Sequence, residues 1–176
     1  MHHVMNQVAR MEWSVDSIRS ALAMDSMRFG EDAYRMMFVT NHDENSWNGT
    51  IAERMGANGD AMAMLAGTLF GMPLVYSGQE AGISKRLRFF EKDTVIWGDY
   101  SKTNLYQTIN ALHHDEEALW NGPFGGWPEL IPTDFSDEVV AWKRTKGESE
   151  VVVASNFGNE NRVVAVDIDT TYAIAW

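Results

Sequence analysis

Phe38-Val39-Thr40-Asn41-His42-Asp43 decides the reading of this chain. It closes the apolar run Met36 to Thr40 (Met-Met-Phe-Val-Thr), which reads as a buried strand ending in a polar triplet. A neutral imidazole beside a carboxylate offers a hydrogen-bond donor and an acceptor to hydroxyl groups. The carboxylate can also face a developing positive charge. In a barrel of alternating strands and helices, catalytic groups stand at that same strand end.

The flanking segments supply a strand–helix–strand unit. Ser14 is placed as an N-cap, after which Val15, Ile18 and Leu22 share one helical face with Met27 near it, and Gly30 is the stop. A strand follows from about Arg35 to Thr40, and Glu44 to Gly59 reads as a long polar loop. Asp60 is expected to cap a helix running through Leu69, with Gly71 ending it and Pro73 to Tyr76 forming the next strand. That order predicts a right-handed parallel βαβ unit. Ser77 to Tyr100 reads as irregular and carries the mixed-charge run Lys85 to Asp93. A further helix is expected from about Thr103 to His114, with Leu105, Ile109 and Leu112 on one side.

After Leu119 the pattern changes. Gly122, Pro123, Gly125, Gly126 and Pro128 break helices. Short β-rich runs follow at hairpin spacing, Val139 to Lys143, Val151 to Asn156 and Arg162 to Asp167, joined by turn-forming stretches around Gly147 and Gly158. This predicts an antiparallel β domain.

Composition narrows the function classes. The chain has 176 residues, 45% of them hydrophobic, with seven Trp and eight Phe, which fits a packed protein rather than a disordered one. Fourteen basic against twenty-five acidic residues give a net charge of −11, which argues against nucleic acid as a partner and is compatible with a neutral ligand. There is no cysteine, hence no disulfide framework or thiolate chemistry. No apolar run approaches the ~20 residues needed to span a bilayer. Met1 to Gln7 lacks the apolar core of a signal peptide. These features are equally compatible with a secreted, periplasmic or cytoplasmic location.

The block Phe38 to Asp43 closely resembles the strand-seven motif of the α-amylase family of retaining glycoside hydrolases. Gly71-Met72-Pro73-Leu74-Val75-Tyr76-Ser77-Gly78-Gln79-Glu80-Ala81-Gly82 is similar to that family's eighth strand and the loop after it. The resemblance implies an α/β chain: residues 1–118 as the C-terminal portion of a (β/α)8 TIM barrel, and 119–176 as a partial antiparallel β-sandwich domain. It implies an α-glucan or maltooligosaccharide as partner, with the N-terminal half of the barrel missing. In such enzymes Asp43 would be the third, transition-state-stabilising carboxylate. His42, Asn41 and Trp47 would form the sugar-binding edge: His42 bonding hydroxyls, Asn41 bracing the loop, Trp47 stacking on a ring.

In that family the nucleophilic Asp and the acid Glu lie on the fourth and fifth strands. Glu12, Asp16, Asp25, Glu31 and Asp32, which precede the motif here, match neither, and Asp16, Asp25, Glu31 and Asp32 read as surface charges. The chain is thus expected to carry no nucleophile and no general acid, and to be inactive alone. Calcium is common in the family, but its usual ligands come from upstream segments, so no cofactor is assigned. His2-His3 and His113-His114 are adjacent pairs that cannot chelate as an i, i+4 pair does, so no metal site is expected. Glu80 reads as an ion-pair partner of Lys85 or Arg86, or with Gln79 as a brace for the loop. Trp120 and Trp127 read as packing at the junction and Trp142 as core. Two other readings stand beside hydrolysis: an α-glucan transglycosylase or debranching relative, and a non-catalytic carbohydrate-binding remnant.

Overall fold

A helix forms ahead of the first one expected. The computed structural model describes residues 1–30 and 32–166. In it α1 (His2–Ala9) buries Met5, Val8 and Ala9 on one side, at the i, i+3, i+4 spacing of an amphipathic helix. α2 (Asp16–Arg28) follows, with Ser14 Oγ accepting the Asp16 N–H at 3.1 Å. Val15, Ile18 and Leu22 are buried as expected, but Met27 is 80% exposed. Nine residues beyond Ile18 is about two and a half turns, so Met27 lies on the opposite side.

The parallel strands are present but shorter than the sequence predicts. β1 (Met36–Met37) pairs in parallel with β2 (Met72–Pro73), Met36 opposite Met72 and Met37 opposite Pro73. The ladder does not reach Thr40 or Tyr76, because side chains take over the backbone groups there. The Phe38 carbonyl receives His2 Nδ1 at 3.2 Å, the Val39 carbonyl receives Arg54 Nη2 at 2.7 Å, and the Tyr76 N–H goes to Gln79 Oε1 at 3.0 Å. Those groups are satisfied without a neighbouring strand.

The stretch read as a polar loop is mostly helical. A π-helical turn covers Glu44–Asn48, α3 runs Ile51–Met55, and a 3₁₀ turn covers Gly56–Asn58. Thr50 and Glu53 form a reciprocal capping box: Glu53 N–H donates to Thr50 Oγ1 at 3.2 Å, and Thr50 N–H to Glu53 Oε2 at 2.7 Å. The Thr-x-x-Glu spacing was visible in the sequence. α4 (Gly59–Thr68) begins after Asn58, so Asp60 sits in its first turn rather than capping it, and its carboxylate meets Lys102 Nζ at 2.6 Å. α5 (Thr103–Asp115) lies against α4 and buries Tyr106 and Ile109.

Beyond residue 119 a three-stranded antiparallel sheet forms in the order β3 (Glu129–Ile131), β4 (Val139–Lys146), β5 (Ser149–Asn156). β3 was not expected; only three residues long, it shows no alternation to read. β4 and β5 run to a two-residue turn at Gly147-Glu148, where Gly147 holds φ +58°, the backbone such tight hairpins require. Of the run Arg162 to Asp167, Val166 makes an isolated antiparallel bridge to Thr133, and Asp167 lies outside the described residues, as does Glu31.

One apolar cluster runs through both parts of the chain, joining Met5, Ile18, Val39, Met62, Leu65 and Ile109 to Val140, Trp142 and Phe157. Trp127 packs on it and lies tilted against Phe70, with ring centroids 4.3 Å apart. Trp120 is partly exposed and donates its indole N–H to the His114 carbonyl at 3.2 Å. Arg144, on β4, donates Nε to Gly126 O at 2.7 Å and Nη2 to Trp120 O at 2.7 Å, and its Nη1 reaches Leu119 O at 3.2 Å. Burial pulls its pKa down to about 10, so it stays charged at neutral pH.

The α4–α5 contact is close at Gly67, where a Cβ would stand 2.2 Å from Ile109 Cγ2. Gly67→Ala is therefore expected to destabilise the chain by about 1–3 kcal/mol despite alanine's better helix propensity. Urea unfolding would check this, and an unchanged or raised midpoint would contradict it.

Candidate functional site

The polar triplet lies between the first parallel strand, which ends at Met37, and the π-helical turn that begins at Glu44. Asn41 Oδ1 accepts the Glu44 N–H at 2.8 Å, which closes the turn. This leaves the next two side chains facing water, His42 at 66% and Asp43 at 57% exposure, with Nε2 and Oδ2 3.6 Å apart.

Beneath them lies a buried polar network. Arg54 is 1% exposed. Its Nη1 donates to Asn6 Oδ1 at 2.6 Å, its Nη2 to the Val39 carbonyl at 2.7 Å and its Nε to the Gly49 carbonyl at 2.9 Å. Glu44 Oε2 is 3.7 Å from the same guanidinium. These contacts hold both ends of the segment 40–48. Burial lowers the Arg54 pKa, and the Glu44 charge works against that shift.

Glu44 is the carboxylate adjacent to Asp43 in sequence. Burial alone would raise its pKa, but hydrogen bonds from His2 and Asn48 and the charges of His2 and Arg54 outweigh this and hold it low. A general acid needs the opposite shift, so Glu44 is not suited to that role.

A second loop is clipped onto the turn. Asn45, 1% exposed, donates Nδ2 to the Lys85 carbonyl at 3.1 Å and accepts the Leu87 N–H on Oδ1 at 2.7 Å. Arg86 forks onto Glu53, Nε to Oε2 at 2.9 Å and Nη2 to Oε1 at 3.1 Å. Lys85 pairs with Asp93, whose carboxyl that contact, with the Arg88 and Thr94 N–H groups, holds well below the usual range. The basic residues expected to meet Glu80 are thus engaged elsewhere. Glu80 instead uses its backbone carbonyl, which accepts the Lys102 N–H at 3.1 Å. Gln79 is buried and bridges the Tyr76 N–H and the Tyr106 hydroxyl, so the bracing role falls to it.

These clips gather aromatic rings beside the triplet. Phe89 lies 5.6 Å from the His42 ring and 5.2 Å from Trp47, centroid to centroid, and Phe90 lies 4.7 Å from Phe89. His42, Asp43 and Trp47 thus belong to one exposed surface, whereas Asn41 turns to the backbone. Phe89, Phe90 and the bridging Asn45 were missed from sequence. The available signal was an apolar pair inside a run of charges, where a solvated loop needs none.

His2 shares the network: its Nε2 lies 3.2 Å from Glu44 Oε1, and its ring stacks on Phe38. His113 Nε2 donates to the Gly71 carbonyl at 3.2 Å, with burial lowering its pKa. Among the described residues no group of three or more His, Cys, Asp or Glu side chains is arranged to hold a metal ion, and no helix is long and apolar enough to cross a membrane.

Arg54→Lys keeps the charge but loses the planar fork, stranding buried acceptors. It is expected to cost about 3 kcal/mol in urea unfolding; a loss below about 1 kcal/mol would contradict the hub role. Glu53 titrates at about 2, lowered chiefly by Arg86 and then by the Thr50 backbone N–H, from an ordinary 4.5. A depressed carboxylate contributes fully above its unfolded pKa and loses that contribution as pH falls through the folded value. The Thr50 amide resonance should therefore hold steady down to about pH 4.5 and titrate with a midpoint near 2; a midpoint near 4.5 would show that the fork does not persist in solution.

No family profile matches the chain. Over 146 residues it is 32% identical to the α-amylase MalA of Haloarcula japonica, a match covering 81% of this chain and 21% of that protein. The maltogenic α-amylase AmyB of Thermotoga neapolitana superposes with a TM-score of 0.73 at 20% identity, over 94% of this chain and 38% of its own. An α-amylase of Lactobacillus plantarum superposes with a TM-score of 0.62 at 16% identity, over 84% of this chain and 33% of its own. The chain spans about a fifth of the length of the curated relative that it matches. By sequence and by fold together, it corresponds to a segment of an α-amylase.

Proposed function

We propose that this chain supplies one wall of an α-glucan-cleaving site, with Asp43 as the carboxylate that stabilises the transition state. Residues 1–118 are then the C-terminal portion of a (β/α)8 barrel and 119–176 the start of a β-sandwich domain. The observation carrying this reading is the exposed His42–Asp43 pair in the segment that follows the C-terminal end of a parallel strand, in a chain 32% identical over 146 residues to an α-amylase.

Cleavage of a glycosidic bond passes through an oxocarbenium-like state. A fixed carboxylate near that charge favours the transition state over the neutral ground state. His42 would give one donor and one acceptor to neighbouring sugar hydroxyls. Trp47 would offer an indole face to a ring, and Asn41 would hold the turn. The nucleophile and the acid would come from other segments of the barrel, because Glu44 is committed to His2, Asn48 and Arg54. The chain alone should therefore bind without turning over.

Binding is accordingly the test. A protonated iminosugar of glucose configuration mimics the developing charge, whereas glucose does not. Asp43→Asn is expected to weaken iminosugar binding at least about tenfold, roughly 1.4 kcal/mol, and to leave glucose binding within about threefold. Equal losses for both ligands, or none for either, would overturn the assignment of Asp43.

A further inference from the structure

The His2 ring stands between α1 and the candidate site, and it cannot serve all of its neighbours at once. Nδ1 lies 3.2 Å from the Phe38 carbonyl, which can only accept, so that contact needs a hydrogen on Nδ1. Nε2 faces two groups of opposite demand, the Asn6 amide nitrogen at 3.0 Å and Glu44 Oε1 at 3.2 Å. Arg54 settles how Asn6 is turned. Its Nη1 donates to Asn6 Oδ1 at 2.6 Å, which holds the NH2 of this buried amide toward the ring. That NH2 gives one hydrogen to the His2 carbonyl at 3.1 Å and directs the other at Nε2.

The two neighbours select different protonation states. A neutral ring with its hydrogen on Nδ1 accepts from Asn6 and leaves Glu44 Oε1 facing a lone pair. A neutral ring with its hydrogen on Nε2 reaches Glu44 but loses both the Phe38 and the Asn6 bonds. The imidazolium donates to Phe38 and to Glu44 together, and its charge-assisted bond to the carboxylate is stronger than the amide bond it gives up. Glu44 does not carry the shared proton, since its Oε2 accepts from Asn48 at 3.1 Å and faces Arg54 at 3.7 Å, both of which favour the carboxylate. Among the described residues, the charges that face the ring are Glu44 from the turn and, through Asn6, Arg54 from α3. On its own helix the neighbouring Met1 amino group is coupled to Asp25 and Arg35. Phe38, stacked on the ring at 4.6 Å, brings no charge. His2 and Glu44 are both partly exposed, so water can deliver the proton.

We propose that His2 is a positioning residue for the polar triplet: doubly protonated, it clamps both Phe38 and Glu44 to α1, and on losing a proton it releases the Glu44 end. Phe38 and Glu44 bracket the triplet, and Glu44 directly follows Asp43. Releasing it loosens the backbone that aims Asp43, and a carboxylate that acts on a developing charge depends on its aim. For this consequence the inference rests on the reading of Asp43 given above.

The test is a pH titration of the whole chain labelled with nitrogen-15, followed through imidazole ring correlations and backbone amides. Before the His2 ring gains its second proton it should show its hydrogen on Nδ1, and the Glu44 amide should shift in the same step with the same midpoint. Two variants separate the ends of the clamp. His2→Asn keeps a donor for Phe38 and offers nothing to Glu44, whereas His2→Gln reaches Glu44 with a donor that never titrates. Their affinities for the protonated iminosugar are divided by the wild-type affinity at each pH, which cancels the titrations of the ligand and of His42. Below the step His2→Asn should bind at least about threefold more weakly than wild type, with His2→Gln matching it. Above the step His2→Asn should match wild type and His2→Gln should bind at least about threefold more tightly. A hydrogen on Nε2 before the step, a Glu44 amide indifferent to it, or affinity ratios constant with pH would each overturn the proposal. If neither variant folds, the wild-type ring and the Glu44 amide decide. Failure of the site reading looks different: Asp43→Asn then shows no selective loss of iminosugar binding while the Glu44 amide still follows His2, so that the clamp holds and only the role of Asp43 falls.

Discussion

The whole site side of the molecule depends on one buried cation. Arg54 brings a guanidinium into the interior, where an unpaired charge costs several kcal/mol. It is tolerated because its fork meets acceptors from three places: Asn6 on α1, Val39 two residues beyond the first strand and Gly49 just after the π-helical turn. Each contact fixes something the others need. The Val39 bond removes the carbonyl that would have extended the strand, so the backbone is free to turn at Asn41. The Gly49 bond closes the turn that presents His42 and Asp43. The Asn6 bond ties in α1, whose His2 also reaches Phe38 and Glu44. Rigidity beneath the triplet fixes the backbone that carries the two exposed side chains, which otherwise meet only each other and, at His42, the Phe89 ring among the described residues.

Arg144 plays a comparable part on the other side, donating to carbonyls that have no strand or helix to satisfy them. The pattern is consistent. Where this fold has irregular backbone close to its core, a long planar donor takes the place of regular hydrogen bonding. Asn58 does the same on a smaller scale, bridging the carbonyls of Ala9 and Phe157 and so joining α1 to the end of β5.

What was legible in the sequence follows from this division. Elements set by apolar periodicity were readable: α2 and α5, the parallel pairing of the segments around Met37 and Pro73, and the β4–β5 hairpin all follow local spacing. Elements set by buried polar side chains were not. The strands end early because His2, Arg54 and Gln79 capture their backbone groups, and no local pattern announces a partner 36 residues away, as His2 is from Phe38. α3 was legible in principle through Thr50 and Glu53, but the surrounding polarity masked it. At the site, the triplet could be read directly. Phe89 and Phe90 could not, since their loop reaches the turn through contacts distant in sequence, the Asn45 bridge and the Arg86–Glu53 fork.

The most direct test of the account is a crystal structure of the chain soaked with maltoheptaose. The account predicts one ring against His42 with its anomeric carbon facing Asp43. A sugar bound elsewhere, for instance in the groove between Trp13 and Phe157, with the triplet left bare, would contradict it.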